Sequence, residues 1–295
     1  MKLLTLDLPV DVKKEKLLSC LRRHYPAVPE YALREAFLKR DVKVNGQRVG
    51  RDAQTQPGAK IQVYLPENRV ETIPILYRDE QVMVVRKPAG ILCDKAEPGQ
   101  PDLCELLREQ LLEEEENPPL PLLCHRLDAP TEGVLLLALK EQAQEELLQV
   151  FREHRLEKEY LCQVRGCPEK EHAILRDYLY KDAKHGEVRV LPHPREGAKE
   201  IITEYQVEQP GQISLLRVRL HTGRTHQIRA HLAYYGYPLL GDDQYGDRSF
   251  NREKKARRLH LCSAKLILHP SGPLDYLDGI VFSCEPSFGK EAKKP

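Results

Sequence analysis

Residues 124–133 have the sequence CHRLDAPTEG, which places a histidine, an arginine and an aspartate within four consecutive positions. Apolar residues precede this segment at 120–123, interrupted only by Pro121, and a second apolar run follows it at 134–139. Both runs are expected to enter the protein interior, where a carboxylate is costly unless it has a partner. The segment therefore predicts two buried strands joined by a polar turn, with Asp128 in that turn.

Length and composition indicate a globular protein of about two domains. Of the 295 residues, 41% are hydrophobic and 31% are charged. No run reaches the roughly 18 apolar residues that a membrane-spanning helix needs. The opening residues, MKLLTLDLPV, do not have the pattern of a secretory signal. We therefore expect a cytoplasmic protein without a membrane partner.

The eight cysteines are expected to be free thiols. None forms a C-x-x-C pair, and most have apolar neighbours, as in YLCQV and LHLCSA. Disulfides do not persist in a reducing cytosol, so these side chains should pack as small hydrophobic groups.

Charge is distributed unevenly along the chain, although the net charge is only +1. Residues 1–66 hold 13 Lys/Arg against 7 Asp/Glu, and residues 215–265 hold 11 against 4. The intervening residues 67–214 hold 19 against 30. Two basic regions favour the binding of a polyanion at a defined face. Scattering of these charges over the surface is the alternative that composition leaves open.

The first 66 residues are predicted to form a separate small domain of two helices and a hairpin. Apolar periodicity predicts helices near residues 14–24 and 30–41. Asn45-Gly46 is a strong hairpin signal, and residues 58–66 supply a closing strand. The pattern resembles the small RNA-binding domain named after ribosomal small-subunit protein four. That resemblance implies RNA-binding side chains on the second helix and hairpin: Arg34, Lys39, Arg40 and Lys43.

Residues 67–72 are predicted to be a linker, and residues 73–288 a larger α+β domain. Residues 73–77 and 81–86 form a predicted hairpin, and helices are expected at 102–116 and 141–157. Short strand-like runs then dominate, including EYLCQVRG, ITEYQVE and ISLLRVRL. The prediction is a mixed, mostly antiparallel sheet with flanking helices.

A partner for Asp128 can be proposed from residues 220–242, which are predicted to form a strand ending at Gly223 and a helix from about Thr225. Arg229 and His226 are three positions apart and would share a helical face. An arginine partner would keep the Asp128 carboxylate ionised and fix its direction. From spacing alone, a second interpretation stays open, in which Asp128 caps the next element and Arg229 is a surface charge.

Three sequence blocks resemble those of the RluA-type pseudouridine synthases. They are YRDEQVMVVRKPAGIL at 77–92, HRLDAPTEGVLLLA at 125–138 and GRTHQIRAHLAYYGYPLLGDDQYG at 223–246. RRLHLCSAKLILHP continues the resemblance to residue 270. The resemblance implies the pseudouridine synthase fold and the isomerisation of specific uridines in structured RNA, either ribosomal or transfer RNA. No cofactor or metal is implied.

The resemblance also implies roles for individual residues. The nucleophilic aspartate matches Asp128, its salt-bridging arginine matches Arg229, and a base-stacking tyrosine matches Tyr160 in EKEYLCQVRG. Substrate-binding residues are expected at Arg126, Thr131, Arg224, His226, Gln227 and Leu259. The chain departs from the family pattern at Ala129, Pro130, Glu132 and Arg86, which leaves the identity of the bound RNA open.

Three other functions are alternatives to the isomerase. A non-catalytic RNA-binding or ribosome-assembly protein would share the basic module but would have no use for a buried acid. A hydrolase with Asp128 and Glu132 as a carboxylate pair would need a separation of about 5–10 Å across a sugar. A metal site from His221, His226 and His231 is disfavoured because a spacing of five rotates helical side chains by about 140°. We expect a monomer.

Overall fold

The computed structural model describes residues 2–25, 28, 30–65, 72–94, 102–112, 114–182 and 187–288. The chain divides into two compact units, one of residues 1–73 and 94–118 and the other of residues 74–93 and 119–295. The predicted linker falls almost entirely outside the described residues. Residues 94–118 group with the first unit, whereas the sequence placed them in the larger domain. The division into domains of residues 1–66 and 73–288 therefore stays a prediction.

The first unit combines a small antiparallel sheet with helices. Its sheet has the strand order β1-β4-β2-β3. Buried side chains from the sheet and from the first two helices form one core, which includes Leu17, Leu21, Leu33, Val42 and Ile61. The elements of this unit are β1 (Lys2–Asp7), α1 (Leu17–His24), α2 (Glu30–Leu38), β2 (Val42–Val44), β3 (Gln47–Val49), β4 (Lys60–Leu65) and α3 (Leu103–Leu111).

The predicted hairpin and its preceding helices are confirmed, with an additional strand. Asn45 and Gly46 both have positive φ, 50° and 81°, as a two-residue hairpin turn of the primed type requires. Strand β1 was not predicted; it pairs antiparallel with β4 from Lys2↔Leu65 to Asp7↔Lys60. Its six residues are too short a pattern to signal a strand without that long-range pairing.

Helix α3 is shorter than the predicted helix at 102–116. Asp102 caps its start, with the Asp102 side chain accepting from the backbone N–H of Glu105 (3.0 Å). Leu103, Leu107 and Leu111 are buried at helical spacing. The acidic run that follows would place negative charge at the negative end of the helix dipole, so the helix ends at Leu111.

The second unit is built on one large sheet. Its strand order is β11-β10-β12-β13-β9-β14-β8-β6-β5, with β15 paired to β14 and β7 paired to β8. The β14–β8 pair is parallel and the other named pairs of this sheet are antiparallel. This confirms the predicted mixed, mostly antiparallel α+β fold. The elements are β5 (Ile75–Arg78), β6 (Val82–Lys87), β7 (Leu122–Leu123), β8 (Glu132–Ala138), α4 (Glu141–Arg152), β9 (Leu156–Arg165), β10 (His172–Asp182), β11 (Glu187–Leu191), β12 (Ala198–Gln209), β13 (Ile213–Leu220), α5 (Gln227–Tyr234), α6 (Arg248–Glu253), β14 (Leu261–Leu268), a 3₁₀ helix (Gly272–Leu277) and β15 (Val281–Ser283).

Strand β8 follows the Asp128 turn and is buried along its whole length. It lies between β6 and β14, so both of its edges are hydrogen-bonded to neighbouring strands, and Val134, Leu136 and Ala138 belong to a buried hydrophobic core. Gly133 has φ 122°, and a Cβ there would lie 2.3 Å from the carbonyl oxygen of Ser263. A glycine is therefore required where β8 begins to run beside β14.

Two differences from the predicted elements lie around β9 and β10. The predicted helix at 141–157 ends at Arg152, because His154 takes a left-handed conformation with φ 57°. The backbone N–H of Arg155 then donates to the carbonyl of Val150 (3.0 Å), which closes the helix end. Strand β10, with sequence HAILRDYLYKD, was not predicted. Asp177 occupies a buried position where an alternating pattern would have an apolar residue, so the sequence does not have the pattern of a strand.

Candidate active site

Asp128 lies in the turn between β7 and β8. The backbone N–H of Thr131 donates to the carbonyl oxygen of Asp128 (3.0 Å) and closes this turn. Thr131 is buried, whereas the Asp128 side chain keeps 24% of its surface exposed. The turn therefore presents one carboxylate that a ligand could reach.

A fully buried lysine binds the same turn. The Lys87 ammonium donates to the carbonyl oxygens of Pro88 (3.0 Å), Ala129 (3.1 Å) and Thr131 (2.8 Å). Burial lowers the pKa of Lys87 to about 8, although nearby negative groups including Asp128 act in the opposite direction. Because two of its three acceptors, Ala129 and Thr131, directly follow Asp128 in the same turn, Lys87 fixes the backbone that carries the carboxylate. The sequence analysis did not assign Lys87 a role.

Arg229 contacts Asp128 as predicted from the sequence blocks. Its Nη1 lies 3.3 Å from Oδ2 of Asp128. The Arg229 side chain is 7% exposed, and helix α5 carries it to the turn. Solvent screens the attraction between the charges of such a partly buried pair much less than it screens an exposed pair. The pair thus holds the Asp128 carboxylate in one direction.

Asp242 is a second partner of Arg229 that the sequence analysis missed. Its carboxylate accepts from Nε (2.7 Å) and Nη2 (2.9 Å) of Arg229 and is 1% exposed. Burial acts to raise the pKa of Asp242, but the hydrogen bonds and charge of Arg229 outweigh burial and lower it. The bidentate pair orients the guanidinium so that its remaining nitrogen faces Asp128.

The backbone around Asp242 is itself closely held. Gly241 has φ 73°, and a Cβ there would lie 1.7 Å from the carbonyl oxygen of Arg258. The Asn251 side chain accepts from the backbone N–H of Gly241 (2.8 Å) and donates to the carbonyl of Asp242 (3.2 Å). Gly241 therefore permits the close approach of its backbone to that of Arg258, and this approach positions Asp242 to pair with Arg229.

His226 also faces Asp128, but from a position before helix α5 and not from the helix itself. Helix α5 begins at Gln227, and His226 precedes it with φ 54°, so the expectation of a shared helical face is wrong. Its Nε2 lies 3.9 Å from Oδ2 of Asp128, and its Nδ1 is 2.9 Å from the hydroxyl of Tyr245. Burial lowers the pKa of His226, with Asp128 acting in the opposite direction.

Tyr160 lies on β9, directly opposite Ser263 of β14. The residue is 8% exposed. Burial first, and then the negative charge of Asp128, raise the pKa of the Tyr160 phenol above its ordinary value. The phenol is therefore protonated at neutral pH and lies close enough to Asp128 to be affected by its charge.

His125 is a structural residue rather than a member of the polar site. The backbone N–H of Leu136 donates to its Nε2 (3.0 Å), and its ring stacks on Phe151 with centroids 4.5 Å apart. Burial lowers the pKa of His125 to about 3, so the ring is neutral. Of the three ionisable residues in HRLD, His125 packs inward and the Arg126 side chain is exposed.

Gln227 joins the start of α5 to the sheet. Its side-chain oxygen accepts from the Thr222 hydroxyl (2.9 Å) and the backbone N–H of Arg224 (3.1 Å). Its side-chain nitrogen donates to the carbonyl of Ile202 (3.2 Å) and the hydroxyl of Thr203 (3.0 Å). These bonds to protein atoms position the segment that carries His226 and Arg229.

The two family departures at Arg86 and Glu132 contact each other. Their ion pair has a separation of 3.4 Å, and Glu132 also accepts from the backbone N–H (2.7 Å) and hydroxyl (2.9 Å) of Ser287. Glu132 is buried on β8. Its carboxylate is thus occupied by protein groups, which argues against the hydrolase with Asp128 and Glu132 as partners.

The other residues that the sequence analysis singled out in this unit do not form one cluster. Arg224 is exposed in the turn before α5, and Leu259 is buried just before β14. The three histidines weighed as metal ligands have different partners: His221 contacts Glu204, and His231 contacts Asp177 and Thr203. Among the described residues, no group of three or more metal-ligating side chains is found.

The four predicted RNA-binding residues lie in the first unit. Arg34 is exposed on α2, Lys39 and Arg40 are exposed just after it, and Lys43 is half-buried on β2. The Lys43 ammonium donates to the Tyr64 hydroxyl (3.2 Å) and lies 4.9 Å from the centre of the Tyr64 ring.

The geometry therefore consists of one reachable carboxylate, a fixed guanidinium and a buried aromatic ring. Asp242 uses both carboxylate oxygens on Arg229, so Asp128 is the acid in this cluster that is open to a ligand. A carboxylate held in this way can attack an electrophilic carbon or accept a proton.

Comparison with known proteins places these features in a family context. A family model described as RNA pseudouridylate synthase matches residues 81–234. An "Uncharacterized RNA pseudouridine synthase" of Aquifex aeolicus (strain VF5) is 32% identical over 265 residues, covering 85% of this chain and 83% of the relative. The "Ribosomal large subunit pseudouridine synthase C" of Escherichia coli (strain K12) is 30% identical, covering 82% of this chain and 80% of that protein.

Solved structures show the same fold. "Human RNA Pseudouridylate Synthase Domain Containing 1" superposes with a TM-score of 0.60 at 24% sequence identity, covering 73% of this chain and 84% of that chain. "Human RNA Pseudouridylate Synthase Domain Containing 4" gives 0.59 at 24% identity, covering 72% and 88%.

Proposed function

The chain belongs to the RNA pseudouridine synthase family, and from this premise we propose that it isomerises specific uridines in large-subunit ribosomal RNA with Asp128 as the reacting carboxylate. It is an isomerase that acts on RNA. The choice of ribosomal over transfer RNA is supported by relatives named as ribosomal large subunit pseudouridine synthases. The enzyme would act in the cytoplasm, where ribosomal RNA is found in bacteria.

The reaction needs little besides a positioned acid. The N1–C1′ bond of uridine breaks, the uracil rotates, and a C5–C1′ bond forms while the C5 hydrogen is lost as a proton and N1 gains one. No electrons are transferred to or from another molecule, and no group is donated. Asp128 would either attack the sugar or remove a proton from it, and Arg229 and Lys87 would keep the carboxylate in place.

The target base must leave its helix to reach Asp128. Extruding a base costs about a few kcal/mol, and stacking on an aromatic ring returns roughly 1–3 kcal/mol per base. Tyr160 is proposed for this stacking contact, because its phenol lies within the electrostatic influence of Asp128. Arg126, Arg224 and His226 would contact the flipped nucleotide from the turn and from the start of α5, and Leu259 would pack beneath the uracil.

RNA affinity is proposed to come from the basic regions. In the first unit these are Arg34, Lys39, Arg40 and Lys43. In the second unit, Arg252, Lys255, Arg257 and Arg258 are exposed in the segment directly before Leu259. Contacts of lysine and arginine with phosphates make binding strongly dependent on salt.

The observation that carries the proposal is the 3.3 Å contact between Arg229 and the one reachable carboxylate of the cluster. The test uses ribosomal and transfer RNA transcripts labelled with tritium at C5 of uridine. Release of tritium from large-subunit RNA by the purified protein is expected, because C5 must lose its hydrogen. Release from transfer RNA alone would contradict the proposed substrate, and release from neither RNA would contradict the activity.

A further inference from the structure

Lys158 lies beside the proposed site and is not part of the chemistry described above. It is two positions before Tyr160 on β9, so both side chains point to the same face, about 7 Å apart. Its ammonium lies 5.9 Å from the centre of the Phe151 ring. A Cβ built on Gly223 would lie 3.2 Å from the same ammonium. Lys158 thus reaches from the sheet to the loop that carries Arg224 and His226.

The charge of Lys158 is not balanced by a neighbouring acid. Burial alone lowers the pKa of Lys158, and within the part of the chain that the structure describes no carboxylate forms an ion pair with it. Glu159, its neighbour in sequence, points to the opposite face and pairs with Arg217 (3.1 Å), Arg219 (3.1 Å) and Lys265 (3.5 Å). A largely buried ammonium without a neighbouring carboxylate has an unfavourable desolvation free energy in the free protein. An anionic ligand that bound Lys158 would offset this cost.

We propose that Lys158 binds a backbone phosphate of the RNA next to the flipped uridine. The inference rests on the proposed function, because it is the RNA that brings the anion. Neutral uracil and ribose offer no negative charge, whereas each nucleotide brings one phosphate. A lysine ammonium is a compact point charge that suits a single phosphate oxygen.

Gly223 has a part in this arrangement. Its missing side chain leaves room for the Lys158 ammonium against the loop backbone, at the position where that loop turns toward His226 and Asp128. A phosphate at Lys158 would therefore lie on the same side of the sheet as Tyr160. The contact would hold the nucleotide's backbone while its base stacks on the ring.

The test measures the dissociation constant for a target-site RNA at salt concentrations from about 50 to 200 mM, for wild type, Lys158→Met and Lys158→Arg. Methionine keeps the apolar stem against Phe151 but removes the charge. Loss of one phosphate contact lowers the slope of log Kd against log salt by about 0.7–0.9. The ratio of variant to wild-type Kd should then fall about threefold across that range. Lys158→Arg should keep the wild-type slope.

Lys170→Met is the matched control, because Lys170 is exposed in the turn beyond the other end of β9. It removes the same charge from the same unit and should leave the slope unchanged. A Lys158→Met slope equal to that of wild type would overturn the inference, even if the variant were less stable, since a purely structural lysine would not alter salt dependence. Equal slope losses in both methionine variants would overturn it too, by indicating a general charge effect.

Tritium release by the wild-type protein is measured in parallel. If wild type releases no tritium from any RNA, the proposed function fails. If wild type is active and Lys158→Met keeps the full slope, only the phosphate contact fails.

Discussion

The guanidinium of Arg229 binds two carboxylates at once: its Nε and Nη2 lie 2.7 and 2.9 Å from Asp242, and its Nη1 lies 3.3 Å from Asp128. The shorter, bidentate contact is with the fully buried acid. Asp242 therefore fixes the direction of Arg229, and Arg229 in turn holds the half-buried Asp128, whose carboxylate keeps surface for a substrate.

Replacement of Asp242 by alanine should destabilise the protein strongly. It leaves the buried Arg229 without its main partner, and breaking a buried pair in this way costs about 3–5 kcal/mol. Urea unfolding followed by circular dichroism measures the change. Asp243→Ala, at the exposed neighbouring position, is the control and should change stability by less than about 0.5 kcal/mol. Equal unfolding midpoints for the two variants would show that Asp242 does not hold Arg229.

Substitutions at Tyr160 should separate the ring from its hydroxyl. Phenylalanine keeps the stacking surface and should retain kcat/KM within a few-fold. Leucine loses base stacking worth about 1–3 kcal/mol, which corresponds to roughly a 5- to 150-fold loss in kcat/KM. Steady-state tritium release from labelled RNA gives both values. A phenylalanine variant as impaired as the leucine variant would mean that the hydroxyl, rather than the ring face, carries the effect.

Lys87 should give the wild-type protein a characteristic pH dependence of stability. Its pKa is about 8 in the folded protein against 10.5 for an ordinary lysine. Between these pH values the unfolded chain binds the proton and the folded protein does not, so the free energy of unfolding rises with pH. Lys87→Met lacks this contribution. The stability difference, wild type minus variant, should therefore increase from pH 8 to 9.5 in urea titrations.

A constant difference over that range would mean that the Lys87 ammonium is not buried as described. Lys140→Met, at an exposed position, serves as the control and should show no such change with pH.

Sequence patterns were sufficient for the main outline of the fold and for the pairing of Asp128 with Arg229. The three sequence blocks predicted the pseudouridine synthase fold, and the comparisons confirm it. Asp242 was missed because GDDQYG offers two adjacent acids and only the folded backbone at Gly241 decides which one turns inward. Lys87 was missed because a lysine in a strand is ordinarily a surface residue, and its three acceptors come from loop carbonyls that no sequence pattern identifies.

The most direct test of the mechanism is the Asp128→Asn variant. Asparagine keeps the size of the side chain and removes the negative charge that the reaction requires. Pseudouridine formation in target RNA should fall below detection, while the Kd for that RNA should stay within a few-fold of wild type. Pseudouridine formation at the wild-type rate in Asp128→Asn would contradict the assignment of Asp128 as the reacting carboxylate.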